Sequence, residues 1–383
     1  MLQSFRTPCY SLRLSISILM ALSFLHGILN ADDSKEPWAS LEWHSSAVVR
    51  GFFLHDYRIQ WSGIEQTFAA EASVDLSLTR PTPRGGIFLD SRVHVNQPLG
   101  NNVLHDEYRD PYWPTLEIDT MELMNLALGY RTGPWTFRIG KIDTPFGRPE
   151  MVLFSNSRFD APFIRTQAIY WYETGLFVTY RKGLIVVDAG IINGDVDRET
   201  NSAKGMIGRI GLEGENWEVG ASVKGHDGIG SEEQKSFSNH AGIDARYALG
   251  HWTFSMEWIH DEYGLHRDID PSEITWGRDL YYRDVFVGVH EPVIGKGGYL
   301  DVQWQGKRWF FEASAGYYNP EKLGNPFHDE PVHRGILKTA CNLGYGLQAF
   351  AVLIRENDRP VESFRHNQRG LAYALGASWT IGD

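Results

Sequence analysis

Cysteine is almost missing from the 383 residues: Cys9 and Cys341 are the only two. Cys9 falls in a leader that export would remove, and Cys341 then has no partner, so no intrachain disulfide is expected. Long hydrophobic runs are also missing beyond the leader, which excludes a membrane-spanning helix as the organising element. Basic charge is scarce, with 36 Lys and Arg against 48 Asp and Glu for a formal charge of −12. An acidic balance spread along the chain argues against nucleic acid as a partner. There is no Gly-x-Ser-x-Gly elbow and no Gly-rich phosphate cradle, and no His–Ser pairing at strand spacing stands out from the background. Neither an enzyme nor a cofactor is expected.

What is present begins with an export signature. Met1 to Arg6 and Arg13 supply a basic start, and Leu14 to Leu25 is apolar apart from Ser15, Ser17 and Ser23. The run is too short to cross a bilayer, and Leu29-Asn30-Ala31 offers a cleavage point, so residues 1–31 are expected to be a signal peptide. Its loss removes two cations and no acids, leaving residues 32–383 more acidic still. No linker and no shift in composition divides those residues, and one domain is expected.

The rest is patterned with a period of two. Phe68, Ala70, Ala72, Val74, Leu76 and Leu78 alternate with Ala69, Glu71, Ser73, Asp75, Ser77 and Thr79. Leu371, Tyr373, Leu375, Ala377, Trp379 and Ile381 repeat the device near the C-terminus. Such alternation gives strands with one apolar face and one polar face, not helices. Turn signals precede an aromatic at Gly133-Pro134-Trp135, Gly214-Glu215-Asn216-Trp217, Gly250-His251-Trp252 and Gly306-Lys307-Arg308-Trp309. Glycine suits the positive φ of tight hairpins, and tryptophan suits a membrane interface. Longer polar segments, among them Asp195 to Lys204 and His226 to Asn239, are expected to join one hairpin to the next.

Short turns on one side and long loops on the other are the organisation of an outer-membrane barrel. The expected fold class is all-β: a transmembrane antiparallel up-and-down β-barrel of about sixteen strands, within a range of fourteen to eighteen. The weakest part of the count is Tyr282 to Val289. Placing the apolar face outward turns Glu71, Asp75, Asp90, Arg92, Arg138, Arg181, Asp188, Arg209, Glu213, Glu218, Lys224, Asp244, Arg246, Glu257, Asp301, Glu312 and Lys338 inward. A charge facing lipid costs roughly 2–4 kcal/mol at midplane, so these charges are expected to line a wet interior or to pair with one another.

One segment stands out. After the strand Trp135 to Lys141, the chain runs Ile142-Asp143-Thr144-Pro145-Phe146-Gly147-Arg148-Pro149-Glu150 and on through Phe154, Arg158, Asp160 and Arg165. Its aromatics suit an inward fold between about 143 and 167, with Pro145, Phe146, Gly147, Arg148, Glu150, Arg158, Asp160 and Arg165 narrowing the bore; the alternative is an external loop packed over the rim. The sequence Arg138 to Gly147 resembles the Gly-Lys…Pro-Phe-Gly signature of the phosphate-selective porin O and P family. That resemblance implies a sixteen-stranded, trimeric porin with its third extracellular loop folded inward. Two features depart from it: Lys141 stands nearly alone where phosphate selection implies a lysine cluster, and the chain ends Trp379-Thr380-Ile381-Gly382-Asp383 instead of on an aromatic.

The clusters His260-Asp261-Glu262-Tyr263 and His105-Asp106-Glu107-Tyr108 match no established metal spacing, and no metal site is expected. The expected function is passive diffusion of small hydrophilic solutes or ions through the outer membrane of a Gram-negative-type bacterium, with outer-membrane lipid around the wall; a homotrimer is implied by the resemblance alone. The alternatives are a secreted, soluble all-β glycan-binding protein and a non-conducting outer-membrane barrel.

Overall fold

The computed structural model describes residues 41–57, 64–96, 121–147, 172–193, 204–229, 232–265, 293–321, 332–357 and 370–382. Residues 1–31, expected to be a signal peptide, Tyr282 to Val289, His105 to Tyr108 and everything from Arg148 to Arg165 lie outside them. The described residues form sixteen strands: β1 Glu42–Tyr57, β2 Ile64–Thr82, β3 Gly85–Asn96, β4 Met121–Thr132, β5 Trp135–Asp143, β6 Tyr172–Lys182, β7 Ile185–Ile192 and β8 Gly205–Glu213. The second half is β9 Trp217–Ile229, β10 Glu232–Leu249, β11 Trp252–Leu265, β12 Val293–Gln305, β13 Trp309–Glu321, β14 Val332–Gly344, β15 Leu347–Asn357 and β16 Gly370–Gly382. Each strand pairs antiparallel with the next, and β16 returns to β1 through Ser46↔Gly382 to His55↔Tyr373, closing the barrel. Closure leaves no edge strand with unpaired backbone groups, the condition for a sheet to stand in hydrocarbon.

Tight turns follow every even-numbered strand from β2 to β14, as at Pro83–Arg84, Gly133–Pro134 and Tyr345–Gly346. Both ends of the described chain lie on the side of these turns, since Glu42 pairs Thr79 and Gly382 pairs Ser46. Gly133 and Gly250 take φ of 53° and 58°, the left-handed conformation that glycine adopts without strain. Gly214 and Gly306 serve differently from what the turn pattern implied: a Cβ there would meet the indoles of Trp217 and Trp304. Room for a ring, not backbone freedom, calls for glycine at those two positions.

The segment His226 to Asn239, expected to be a loop, is mostly ladder. Pairing continues through Asn239↔Gly225, Ser238↔His226 and Phe237↔Asp227, with a register shift before Glu232↔Ile229. A polar composition does not prevent pairing, because the ladder is made by backbone N–H and C=O groups that every such residue carries.

Alternation holds around the wall. Ile139, Met206, Ile210, Val223, Leu300 and Leu337 point out and are exposed, whereas Ile207, Ile259 and Ile336 point in and are buried. Aromatic side chains gather outside near the tight turns: Trp135 stacks on Phe137, Trp252 on Phe254 and Trp309 on Phe311. An apolar outer band with an aromatic girdle is the surface that a bilayer solvates.

Candidate functional site

The inner face carries paired charge. On β1 to β3, Arg50 donates from Nε to Glu71 at 2.7 Å, and Arg92 donates from Nε to Asp75 at 2.6 Å while its Nη1 lies 3.7 Å from Asp143. Asp90 accepts from the Ser77 hydroxyl at 2.7 Å. Lys338 on β14 lies 3.7 Å from Glu312 on β13. Glu257 and Asp301 sit on the same face of β11 and β12, both buried.

Between β5 and β10 the pairs link into a belt. Arg138 donates to the Thr179 hydroxyl at 2.8 Å, and that hydroxyl donates to Asp188, two strands from the arginine. Arg181 reaches over β7 to Glu213 at 2.6 Å, and Arg246 lies 3.4 Å from Glu218. Arg209 crosses β9 to Asp244 with two bonds, Nε to Oδ2 at 3.1 Å and Nη2 to Oδ1 at 2.6 Å. Arginine can do this because its planar fork matches a carboxylate at two points. Four arginines therefore face four carboxylates. Nearer the long-loop side, Lys224 on β9 bonds Glu173 on β6, both almost fully buried.

The chain leaving β5 turns into the barrel. Phe146 N–H donates to the Thr144 carbonyl at 2.8 Å, closing a three-residue turn about Pro145. The Gly147 N–H then donates to Ser222 Oγ on β9 at 2.8 Å. Phe146 is fully buried, in one apolar cluster with Ala127, Ile142, Phe177, Ile192, Ile207 and Ile259. Its ring meets His240 edge-on and fills the space that a Cβ on Gly242 would need, 2.9 Å away. Pro145, Phe146 and Gly147 thus lie inside the wall; Arg148, Glu150, Arg158, Asp160 and Arg165 are outside the described residues. Among the described residues no group of three His, Cys, Asp or Glu is placed to hold a metal ion.

The structure adds residues that the inward set lacks. Arg50 is 5 % exposed, with its guanidinium over the rings of Phe52 and Phe350 at 5.4 and 5.7 Å. The alternation Val49, Arg50, Gly51 and Phe52 carries its signal. Glu173 and Ser222 had none, since a lone acid at a strand start and a serine among many reveal nothing until partners across several strands are placed. Met124 faces inward beside Asn125 because β4 bulges opposite Arg92 and Val93, a shift that strict alternation cannot anticipate.

Comparison with solved structures places the architecture. The trimer form of in-vitro folded OmpT, an outer membrane protein of Vibrio cholerae, matches with a TM-score of 0.59 at 11 % identity over 89 % of this chain and 100 % of that one. The anion-selective porin from Comamonas acidovorans matches with a TM-score of 0.58 at 10 % identity, over 89 % of this chain and 99 % of its own. The barrel has the porin fold. A triple mutant of the Rhodopseudomonas blastica porin matches with a TM-score of 0.54 at 10 % identity, over 89 % of this chain and 100 % of that one. No family model matches the chain, and no curated protein does. At such identities the porin likeness is one of fold.

Proposed function

We propose that the protein is an outer-membrane porin, a passive water-filled channel for small hydrophilic solutes or ions and not an enzyme. The observation that carries this reading is the division of the closed wall into a continuous apolar outer face and an inner face of paired charges. That division would have no use in a soluble glycan-binding protein, whose outer face would not hold Phe137, Ile139, Met206 and Ile210 in water. The porin fold supports an outer-membrane location. The Gly140-Lys141 and Pro145-Phe146-Gly147 motif supports kinship with the phosphate-selective O and P porins. Phosphate itself is not carried over, because the inner cations are matched by acids.

In this reading the segment opening at Pro145 is the constriction. Phe146 anchors its root and the residues from Arg148 to Arg165 narrow the bore. A homotrimer completes the proposal, supported by the resemblance and by the trimer form of the Vibrio cholerae protein. Purified protein added to a planar bilayer is expected to give stepwise conductance, and deletion of Pro149 to Asp160 to enlarge each step. A folded, inserted barrel that never conducts would establish the non-conducting alternative; unchanged steps after the deletion would remove the constriction.

A further inference from the structure

Glu213 and Glu218 face each other directly across β8 and β9 on the inner wall, beside the tight turn Gly214 to Asn216. Two like charges at directly opposed positions destabilise a sheet unless something neutralises them. Here the neutralising groups come from outside the pair. Arg181 on β6 forks onto Glu213, with Nη1 at 2.6 Å and Nη2 at 3.5 Å, and Arg246 on β10 lies 3.4 Å from Glu218. The result is a row, Arg181, Glu213, Glu218 and Arg246, along the mouth on the tight-turn side. Arg181 is open to water at 63 % exposure, and Glu213, Glu218 and Arg246 are partly so at 21 %, 27 % and 35 %, whereas the Arg209–Asp244 pair one step deeper is buried.

We propose that Glu213 and Glu218 determine the ion preference of this mouth, because they hold in balance two arginines that would otherwise draw anions into it. The assignment rests on the pore reading. Arg181 and Arg246 are four strands apart, about 19 Å at 4.8 Å per strand, and each is the nearer cation for its own glutamate. The screening length is about 8 Å at physiological ionic strength, so a passing ion responds to the charges within one or two strands of it and not to the total of the barrel. Removing both carboxylates exposes two uncompensated guanidinium groups to the bore. Removing both guanidinium groups leaves two opposed carboxylates.

The test is the reversal potential of the protein in a planar bilayer under a potassium chloride gradient. The Arg181–Glu213 pair is exposed and the Arg246–Glu218 pair partly so, and solvent-screened ion pairs add little to stability, so the variants are expected to fold. Glu213→Gln with Glu218→Gln should raise the chloride-to-potassium permeability ratio at least about threefold, as a local excess of positive potential concentrates anions. Arg181→Gln with Arg246→Gln should lower it by a similar factor. All four changes together should return the ratio to that of the unaltered protein, a result that a merely structural role for these residues would not give. A conducting protein whose ratio stays fixed in both double variants, or is not restored in the fourfold variant, overturns the assignment alone. An inserted protein that never conducts overturns the pore reading and the assignment with it.

Discussion

Arg209 lies flat against β9 because the wall beneath it is bare. Gly220 stands between Gly211 on β8 and Asp244 on β10, and a Cβ on Gly220 would sit 2.5 Å from Nη2 and 2.7 Å from Cζ of the guanidinium. The missing side chain sets the path by which a charge on β8 reaches its partner two strands away. Gly220→Val should lift the guanidinium from Asp244 and leave two buried charges apart, a loss of about 3–5 kcal/mol. Urea unfolding of the protein in lipid vesicles measures it, and an unchanged midpoint would show that Arg209 finds Asp244 by another route. Phe146 is the matching case for an apolar side chain. Truncation to alanine empties a site that the ring shares with six other buried residues and should cost about 3–5 kcal/mol, read by the same titration. It should also make the single-channel conductance larger or noisier, because the ring fixes the root of the proposed constriction.

At the scale of the strand, the phase of alternation decides what a substitution costs. Ile210 is 61 % exposed on β8, while its neighbour Arg209 is 8 % exposed on the other face. Ile210→Lys should destabilise the inserted barrel by about 2–4 kcal/mol, and an equal unfolding midpoint in vesicles would count against a lipid-facing position. That phase was legible in the sequence, as were the strand number and the parity of the turns, because one face meets lipid and the other does not. The inner partnerships were not. Arg138 with Asp188, Arg181 with Glu213 and Lys224 with Glu173 join strands that are two or three apart, and such pairs depend on shear and on which intervening residue is small. Alternation reports only which way a side chain points. The same limit explains why His226 to Asn239 reads as a loop: polarity marks exposure to water and says nothing of the ladder that continues through it.

For the whole molecule, the seam between β1 and β16 is where closure is made or lost. Gly376 on β16 lies opposite Phe52 on β1 and Phe350 on β15, and the two rings lean toward each other over it, 6.4 Å between centroids. A Cβ on Gly376 would lie 2.6 Å from Phe350 and from Phe52 and would also meet the Gly51 carbonyl. Arg50, bound to Glu71, caps both rings, so the aromatic pair, the arginine and the bare glycine form one packed unit across the seam. Gly376→Leu should force the rings apart and separate the last strand from the first. An opened seam leaves two rows of unpaired N–H and C=O groups, each costing several kcal/mol in hydrocarbon, and no partial opening relieves that cost. The expected outcome is therefore all-or-none. The unheated protein should lose the faster gel mobility of a closed, detergent-resistant barrel instead of unfolding at a slightly lower denaturant concentration. Gly51→Leu is the control, since Gly51 pairs with Ala377 at the same seam but a Cβ there meets nothing within 4 Å. If both variants keep the fast mobility, the packed unit over Gly376 does not govern closure. If both lose it, the seam is intolerant of any added bulk, and the inward packing of Phe52 and Phe350 is not the cause.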